Sequence, residues 1–288
     1  MTLMTSAAWS VLALAIATPA WAQTPAIAAQ GAAVTEIEAV VVTGTRRTNR
    51  TAFESAAPVD VVSHEALESI ASDEIMNKLQ ATTPSFNVQR LPAADGQAFV
   101  RPATLRGLSP DQTLVMVNGK RRHRSAALGG RGQQGVDMAQ FAASSMERIE
   151  VLRDGASAQY GSDAIAGVIN FVLRDSAEGA SFEAEWGQTY EGDGDQWSVS
   201  GNVGLPIPVG AGGFLNLSAE YGETNATSRS VQRADAAALI AAGNAAVADP
   251  AQIWGQPNVN DDIKVFVNAA VPFSDMVEAY AFGNYAER

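Results

Sequence analysis

The chain has 288 residues, no cysteine, and 31 acidic against 19 basic side chains, a formal net charge of −12. Without cysteine there is no disulfide framework and no thiolate chemistry. The acidic balance argues against nucleic acid, whose phosphates require Lys and Arg, and against a polybasic anchor. Hydrophobic residues make up 47%, ample for a folded domain, and no long apolar stretch follows residue 22. A membrane role is therefore open only to β-strands.

Residues 1–22 read as a secretory signal. An apolar run, Ala7 to Ala17, is followed by Thr18-Pro19 and by the small-x-small site Ala20-Trp21-Ala22 before Gln23. Its first six residues depart from the pattern in lacking Lys and Arg, and the run is too short for a spanning helix. Residues 23–37, rich in Ala, Gln, Thr and Pro, predict a disordered mature N-terminus. In residues 38–47 a β-branched run lies beside Gly44. Two readings are open: a plain first strand, or a segment kept extended to pair with a partner's sheet edge.

Pro58 to Val62 reads as a strand, and Ser63 is placed to cap a helix with Glu65 in its first turn. Ser72, Asp73 and Glu74 start a second helix carrying Ile75 and Leu79, which Pro84 closes. Phe86 to Arg90 and Phe99 to Arg101 are candidate short strands around the turn at Ala93 to Gly96. Leu114 to Val117 reads as a buried strand, and Asn118-Gly119 fits a type I′ hairpin turn, where both central residues need positive φ. The basic run Lys120-Arg-Arg-His-Arg124 is either a solvated loop or a patch that attracts an anion. The Gly129 to Gly135 loop is not a phosphate loop, because no Gly-Lys-Ser/Thr follows. Ile149 and Val151 alternate with Arg148 and Glu150, predicting a strand with one wet and one dry face. Turn residues at Asp154-Gly155, Tyr160-Gly161 and Ala166-Gly167 lead to a second strand, Val168 to Leu173. His64 and His123 are far apart, and no enzyme or metal constellation is visible.

The segment Met146 to Asn170 resembles the end of the plug domain of TonB-dependent outer-membrane receptors. Thr104 to Lys120 resembles the same plug, with Arg-Gly, a hydrophobic strand and then Asn-Gly. The resemblance implies a plug over residues 48–175. It decides the N-terminal strand for the extended reading, as a TonB box at Val40, Val41, Val42 and Thr43. It places Arg106, Glu147, Arg148, Glu150 and Arg153 in the plug's structural core, where some are expected to pair with Glu183 or Glu185 of the surrounding wall. It turns two loops outward, toward a small-molecule ligand: Gln89, Arg90 and Gln97 in one, and Arg121, Arg122, His123, Arg124, Arg131 and Gln133 in the other.

After Asp175 the texture changes to five alternating segments of about ten residues, the length of a tilted membrane-spanning strand. They centre on Ala184, Val199, Leu217, Val267 and Ala281. Phe266 stands against the alternation of its segment. The connections at Pro206 to Gly212 and Pro272 to Asp275 fall on one side, and the long Glu223 to Asn260 on the other, as in bacterial barrels. Trp186, Trp197, Tyr221 and Tyr285 mark one interface level, Phe214 and Phe273 the second. Ala234 to Ala248 reads as a small helix in the long connection, and Glu191 to Asp195 as a polar turn rather than a calcium loop.

The expected fold is thus an α+β plug followed, over residues 176–288, by the first antiparallel strands of a barrel of about 22 strands. The resemblance implies a monomeric transport receptor of the Gram-negative outer membrane, with no cofactor. Its partners are TonB, outer-membrane lipid with lipopolysaccharide, and a scarce ligand, first among them a ferric siderophore. Five strands leave two open edges in lipid, and Arg288 stands where such receptors end in an aromatic. The chain is therefore expected to be a fragment or a truncated product. A truncated product would act only as a periplasmic ligand- or TonB-binding module, or not at all.

Overall fold

The computed structural model describes residues 58–288, except 73, 90, 92–95, 130–131, 154–155 and 275, together with two short strands before residue 52. The signal segment, residues 23–37, Val42, Thr43, Arg90, Arg131 and the Asp154-Gly155 turn lie outside the described residues. The two short strands, β1 (Val40–Val41) and β2 (Arg50–Thr51), pair antiparallel with each other.

The N-terminal domain is built on a mixed five-stranded sheet. Its members are β3 (Val59–Ser63), β6 (Thr113–Val117), β7 (Lys120–Arg121), β8 (Met146–Leu152) and β9 (Gly167–Leu173), in the order β3-β8-β9-β6-β7. Only the β6–β9 pair is parallel. Central strands of such a sheet are covered on both faces, and all five residues of β6 are accordingly buried. The same burial corrects the reading of β8: its polar face is not wet, because Glu150 is fully buried. At the start of β9 the chain packs so closely that a Cβ on Gly167, whose φ is +145°, would run into the carbonyl of Leu152.

Two helices cover the sheet. Ser63 caps α1 (His64–Glu68) by accepting from the Ala66 amide at 3.3 Å. The second, α2 (Ile75–Thr82), buries Ile75, Met76 and Leu79, but its N-cap is Glu74 without a side-chain cap bond. Ser72, two residues before that cap, instead accepts from the Glu74 amide at 3.3 Å. After β4 (Phe86–Val88) the expected strand at Phe99 is a helical turn, α3 (Gln97–Val100), and the partner of β4 is β5 (Ala103–Leu105). A 3–4 residue apolar run cannot distinguish helix from strand by period. The helical turn α4 (Ser157–Tyr160) precedes β9.

The C-terminal sheet is a meander in sequence order: β10 (Ala180–Gly187), β11 (Gln196–Ile207), β12 (Gly213–Thr224), β13 (Val259–Ser274) and β14 (Val277–Glu287). All pairs are antiparallel, with Leu217 opposite both Val203 and Val267. Phe182 and Trp186 on β10 stand 78% and 72% exposed, whereas Ser198, Asn202, Asn216, Ser218, Lys264 and Asn268 are buried. One face is thus apolar and open, and the other polar and covered. The long connection holds α5 (Ala234–Ala241). Its base is zipped by the Thr227 amide donating to the Gln256 carbonyl at 3.0 Å and the Arg229 amide to the Trp254 carbonyl at 3.1 Å.

Candidate functional site

The polar face of the C-terminal sheet is covered by the N-terminal domain, and the contact between them is the candidate site. Its apolar centre is Phe266, the residue that broke the alternation of β13. It is 3% exposed, with its ring 6.1 Å from Phe141, which lies 4.5 Å from Phe171 of the sheet core. A large apolar side chain at an inward position belongs there because it completes another domain's core.

A polar chain runs beside this centre. Asn118 has φ +47° and Gly119 φ +72°, the geometry a type I′ turn requires. The Asn118 side chain accepts from the Leu173 amide at 2.9 Å and donates to Asn268 Oδ1 at 3.2 Å. Asn268 in turn donates to the Arg174 carbonyl at 2.8 Å. On the other side of the turn, the Gly119 amide donates to Asn170 Oδ1 at 2.9 Å, and Asn170 donates to buried Glu150 at 3.4 Å. Arg148 closes the chain with its Nε 3.0 Å from Glu150. Hydrogen-bonded neighbours make a buried carboxylate tolerable.

Ion pairs gather at α2. Lys78 is 2% exposed, with Nζ 3.4 Å from Glu185 of β10. Glu74 pairs with Arg101 and, at 2.8 Å, with Arg288 beyond β14. Arg288 lies 3.7 Å from Asp262, which is 3.4 Å from Lys264, which is 2.6 Å from Glu220. Alternating charges therefore tie the N-cap and the middle of one short helix to β10, to β12 and β13, and to the residue after β14. Such pairs rarely add net stability when buried, but losing one member is costly.

Several expected residues stand elsewhere than their sequence suggests. Arg106 donates to the Arg153 carbonyl at 3.0 Å, and Arg153 Nε lies 2.9 Å from Asp60, all within the N-terminal domain. Glu147 is exposed. The cation found against Glu185 is Lys78, a residue the sequence reading did not select. Its signal was a lysine on the apolar face of a helix, three residues from Ile75 and one from Leu79. Of the residues expected to face a ligand, Gln89 is exposed, Gln133 is half-buried, and Gln97 is buried inside α3 rather than turned outward. Arg121 and Arg124 both reach Asp163, at 2.8 and 3.3 Å, and Arg121 also reaches the Tyr160 carbonyl. His123 is exposed. Arg122 turns inward, donating to Asn284 at 2.7 Å and Gln140 at 3.0 Å, with its guanidinium 5.5 Å from the Phe141 ring centre. Burial lowers its pKa and nearby Asp137 opposes that. Asp137 itself is pushed up by burial, against the Ala139 amide and Arg288.

On the side of the long connection, Asp193 receives both ends of the Arg229 guanidinium, at 2.6 and 2.8 Å, and is held well below the usual carboxylate range by it. The Glu191 to Asp195 segment is therefore a loop clasp. Among the described residues no group of three or more His, Cys, Asp or Glu could hold a metal, and no helix is long and apolar enough to cross a membrane.

Residues 51–168 match the family model of the TonB-dependent Receptor Plug Domain. The fold matches solved structures of larger receptors. A mutant of the ferric enterobactin receptor PfeA from Pseudomonas aeruginosa has 20% identity and a TM-score of 0.54, over 76% of this chain and 31% of that one. The siderophore receptor PirA from Acinetobacter baumannii has 21% identity and a TM-score of 0.50, over 75% of this chain and 29% of that one. The ferric citrate transporter FecA in its unliganded form has 16% identity and a TM-score of 0.50, over 82% and 32%. This chain spans about a third of the length of the receptors it matches. Its N-terminal domain thus matches the plug model over residues 51–168, and the chain as a whole has the fold of a plug with the first barrel strands around it.

Proposed function

From a plug domain of the TonB-dependent receptors seated on the polar face of barrel strands, we propose an outer-membrane receptor for TonB-dependent active uptake. The observation that carries this reading is the seating itself. The plug buries polar barrel residues while the opposite face, with Phe182 and Trp186, stays open and apolar as a lipid-facing wall must. The ligand class we assign is a ferric siderophore, supported by the names of the similar receptors for ferric enterobactin and ferric citrate.

In this reading the ligand binds from the side of the long connection, against Gln89, Arg90, His123, Arg131 and Gln133. TonB pairs by strand addition with the box at Val40, Val41, Val42 and Thr43. Since β1 pairs with β2 along one edge in the described structure, TonB adds at the other edge of β1 or displaces Arg50–Thr51. The plug occupies residues 48–175 and the barrel begins at 176, after the signal, the N-terminal linker and the box region. Lipid and lipopolysaccharide contact the outer face, and the receptor works as a monomer without catalysis.

The test is growth of a deletion strain with a ferric siderophore as sole iron supply. Complementation by the intact gene is expected to restore growth, and a Val41→Pro allele to lose it, because proline removes a ladder donor. Equal growth of both alleles counts against the reading. A second reading is a periplasmic plug module, supported by the buried core that the N-terminal domain largely builds from its own residues. Heat-modifiable protein in the outer-membrane fraction supports the receptor, and soluble periplasmic protein the module.

A further inference from the structure

The β6–β7 hairpin and strands β13 and β14 enclose a cleft of about 280 Å³, of whose lining the preceding reading uses His123 alone. Its sheet side carries Phe266 and Phe282, and its plug side Lys120, Arg121, Arg122 and His123. The composition is unusual for its place. Inward positions of β11 and β12 carry Asn and Ser, whereas β14 carries half-buried Phe282 and, at the cleft's margin, exposed Tyr280, in stacked orientation 6.5 Å apart. Those rings lie opposite the basic run: Lys120 Nζ stands 5.4 Å from the Tyr280 ring centre.

The charges in the cleft are of two kinds. Arg121 is neutralised by Asp163. Lys120 and Arg122 have no carboxylate within ion-pair distance among the described residues. Arg122 is fixed by Asn284 and Gln140, which are neutral acceptors that orient the guanidinium without cancelling its charge. A ring face attracts a cation, yet it supplies less than an anion does in a partly dry site. The cleft therefore combines an aromatic wall with two oriented positive charges, Lys120 without a carboxylate partner among the described residues and Arg122 offset only in part by Asp137 beyond ion-pair distance. Its volume is at the lower end for small-molecule sites, room for one substituted ring and not for a whole metal chelate.

We propose that this cleft binds an aromatic monoanion of the aryl carboxylate class. The ring packs on Phe266 and Phe282, and the carboxylate meets Lys120 and Arg122. The register places Phe282 opposite Asn268 and Asn284 opposite Phe266, partway along the strands rather than among the external connections. The site adjoins the ligand-facing loop through Arg121, Arg122 and His123, and its occupancy can be measured without transport by this protein.

The experiment is titration of the purified, detergent-refolded chain, by calorimetry or ligand-observed NMR, with benzoate, cyclohexanecarboxylate and benzyl alcohol. Benzoate is expected to bind in the millimolar range, at least about tenfold tighter than either control, since each lacks one of the two recognition elements. Lys120→Gln, at an exposed position that does not threaten folding, is expected to weaken benzoate about fivefold or more. Phe282→Leu should remove the preference for benzoate over cyclohexanecarboxylate. Absence of benzoate binding, equal binding of the three probes, or unchanged affinity in both variants would overturn the proposal. Failure of iron uptake with benzoate binding retained would count against the receptor reading alone.

Discussion

Asn118 shows how much one side chain can carry. It holds a left-handed backbone, accepts from Leu173 and donates to Asn268 of the barrel. Asn118→Ala is expected to lose roughly 2–4 kcal/mol, from two hydrogen bonds and the cost of a Cβ at positive φ without local polar support. Asn118→Gly relieves the backbone but not the bonds, so it should be about 1 kcal/mol less damaging. Urea unfolding of the refolded variants checks both numbers, and equal losses would show that the backbone conformation carries no cost. Asp137 makes the second prediction at this scale. Burial raises its pKa in the folded state, opposed by the Ala139 amide, Arg288, Gln140 and Arg122. The native protein thus holds the Asp137 proton longer than the unfolded chain. Its contribution is fully present below the ordinary aspartate pKa of about 3.9 and is lost as pH rises through the raised value. Asp137→Asn should remove that downward slope, seen as flatter urea midpoints from acid to neutral pH. An unchanged slope would mean that Asp137 titrates normally.

At the scale of elements, α2 and β13 matter most, because they carry charges into the interface. Lys264 and Glu220 are both nearly buried and 2.6 Å apart, on adjacent strands. Lys264→Met alone is expected to cost roughly 3–5 kcal/mol, since Glu220 is left buried beside Asp262. The double variant Lys264→Met with Glu220→Gln should recover most of that loss. A double-mutant cycle on unfolding free energy tests it, and additive losses would sink the idea that the pair is coupled. The elements themselves were largely legible: the Ser63 cap, the Asn118-Gly119 hairpin and all five barrel segments stand where periodicity and turn chemistry place them. The errors share a cause. Phe99 to Arg101 is too short for its period to be read, and the polar face of β8 is dry at Glu150, where the side chains of Asn170 and Arg148 close over the carboxylate. Local pattern reports alternation, not what lies against each face.

For the whole molecule the decisive asymmetry is between the two faces of the C-terminal sheet. Val267 points to the open apolar face near the middle of β13, opposite Leu217 and Gly283. Val267→Arg is expected to destabilise insertion by about 2–4 kcal/mol, the cost of a charge near the bilayer midplane. The readout is the heat-modifiable fraction after folding into lipid vesicles. A variant that inserts as well as the parent would place this face away from lipid.

What the sequence by itself determined is what depends on neighbours along the chain: the alternation of the barrel strands, the helix cap, the hairpin turn, and the motifs that resemble a plug. Those signals are local because hydrogen-bond ladders and φ preferences are local. Only the tertiary structure decided which charges meet. Lys78 reaches Glu185 across 107 positions and Arg288 reaches Glu74 across 214, while Arg106 and Arg153 stay with each other inside the plug. Partner choice among several lysines, arginines and glutamates depends on which side chains share a buried surface, and that surface exists only once the plug sits on the sheet.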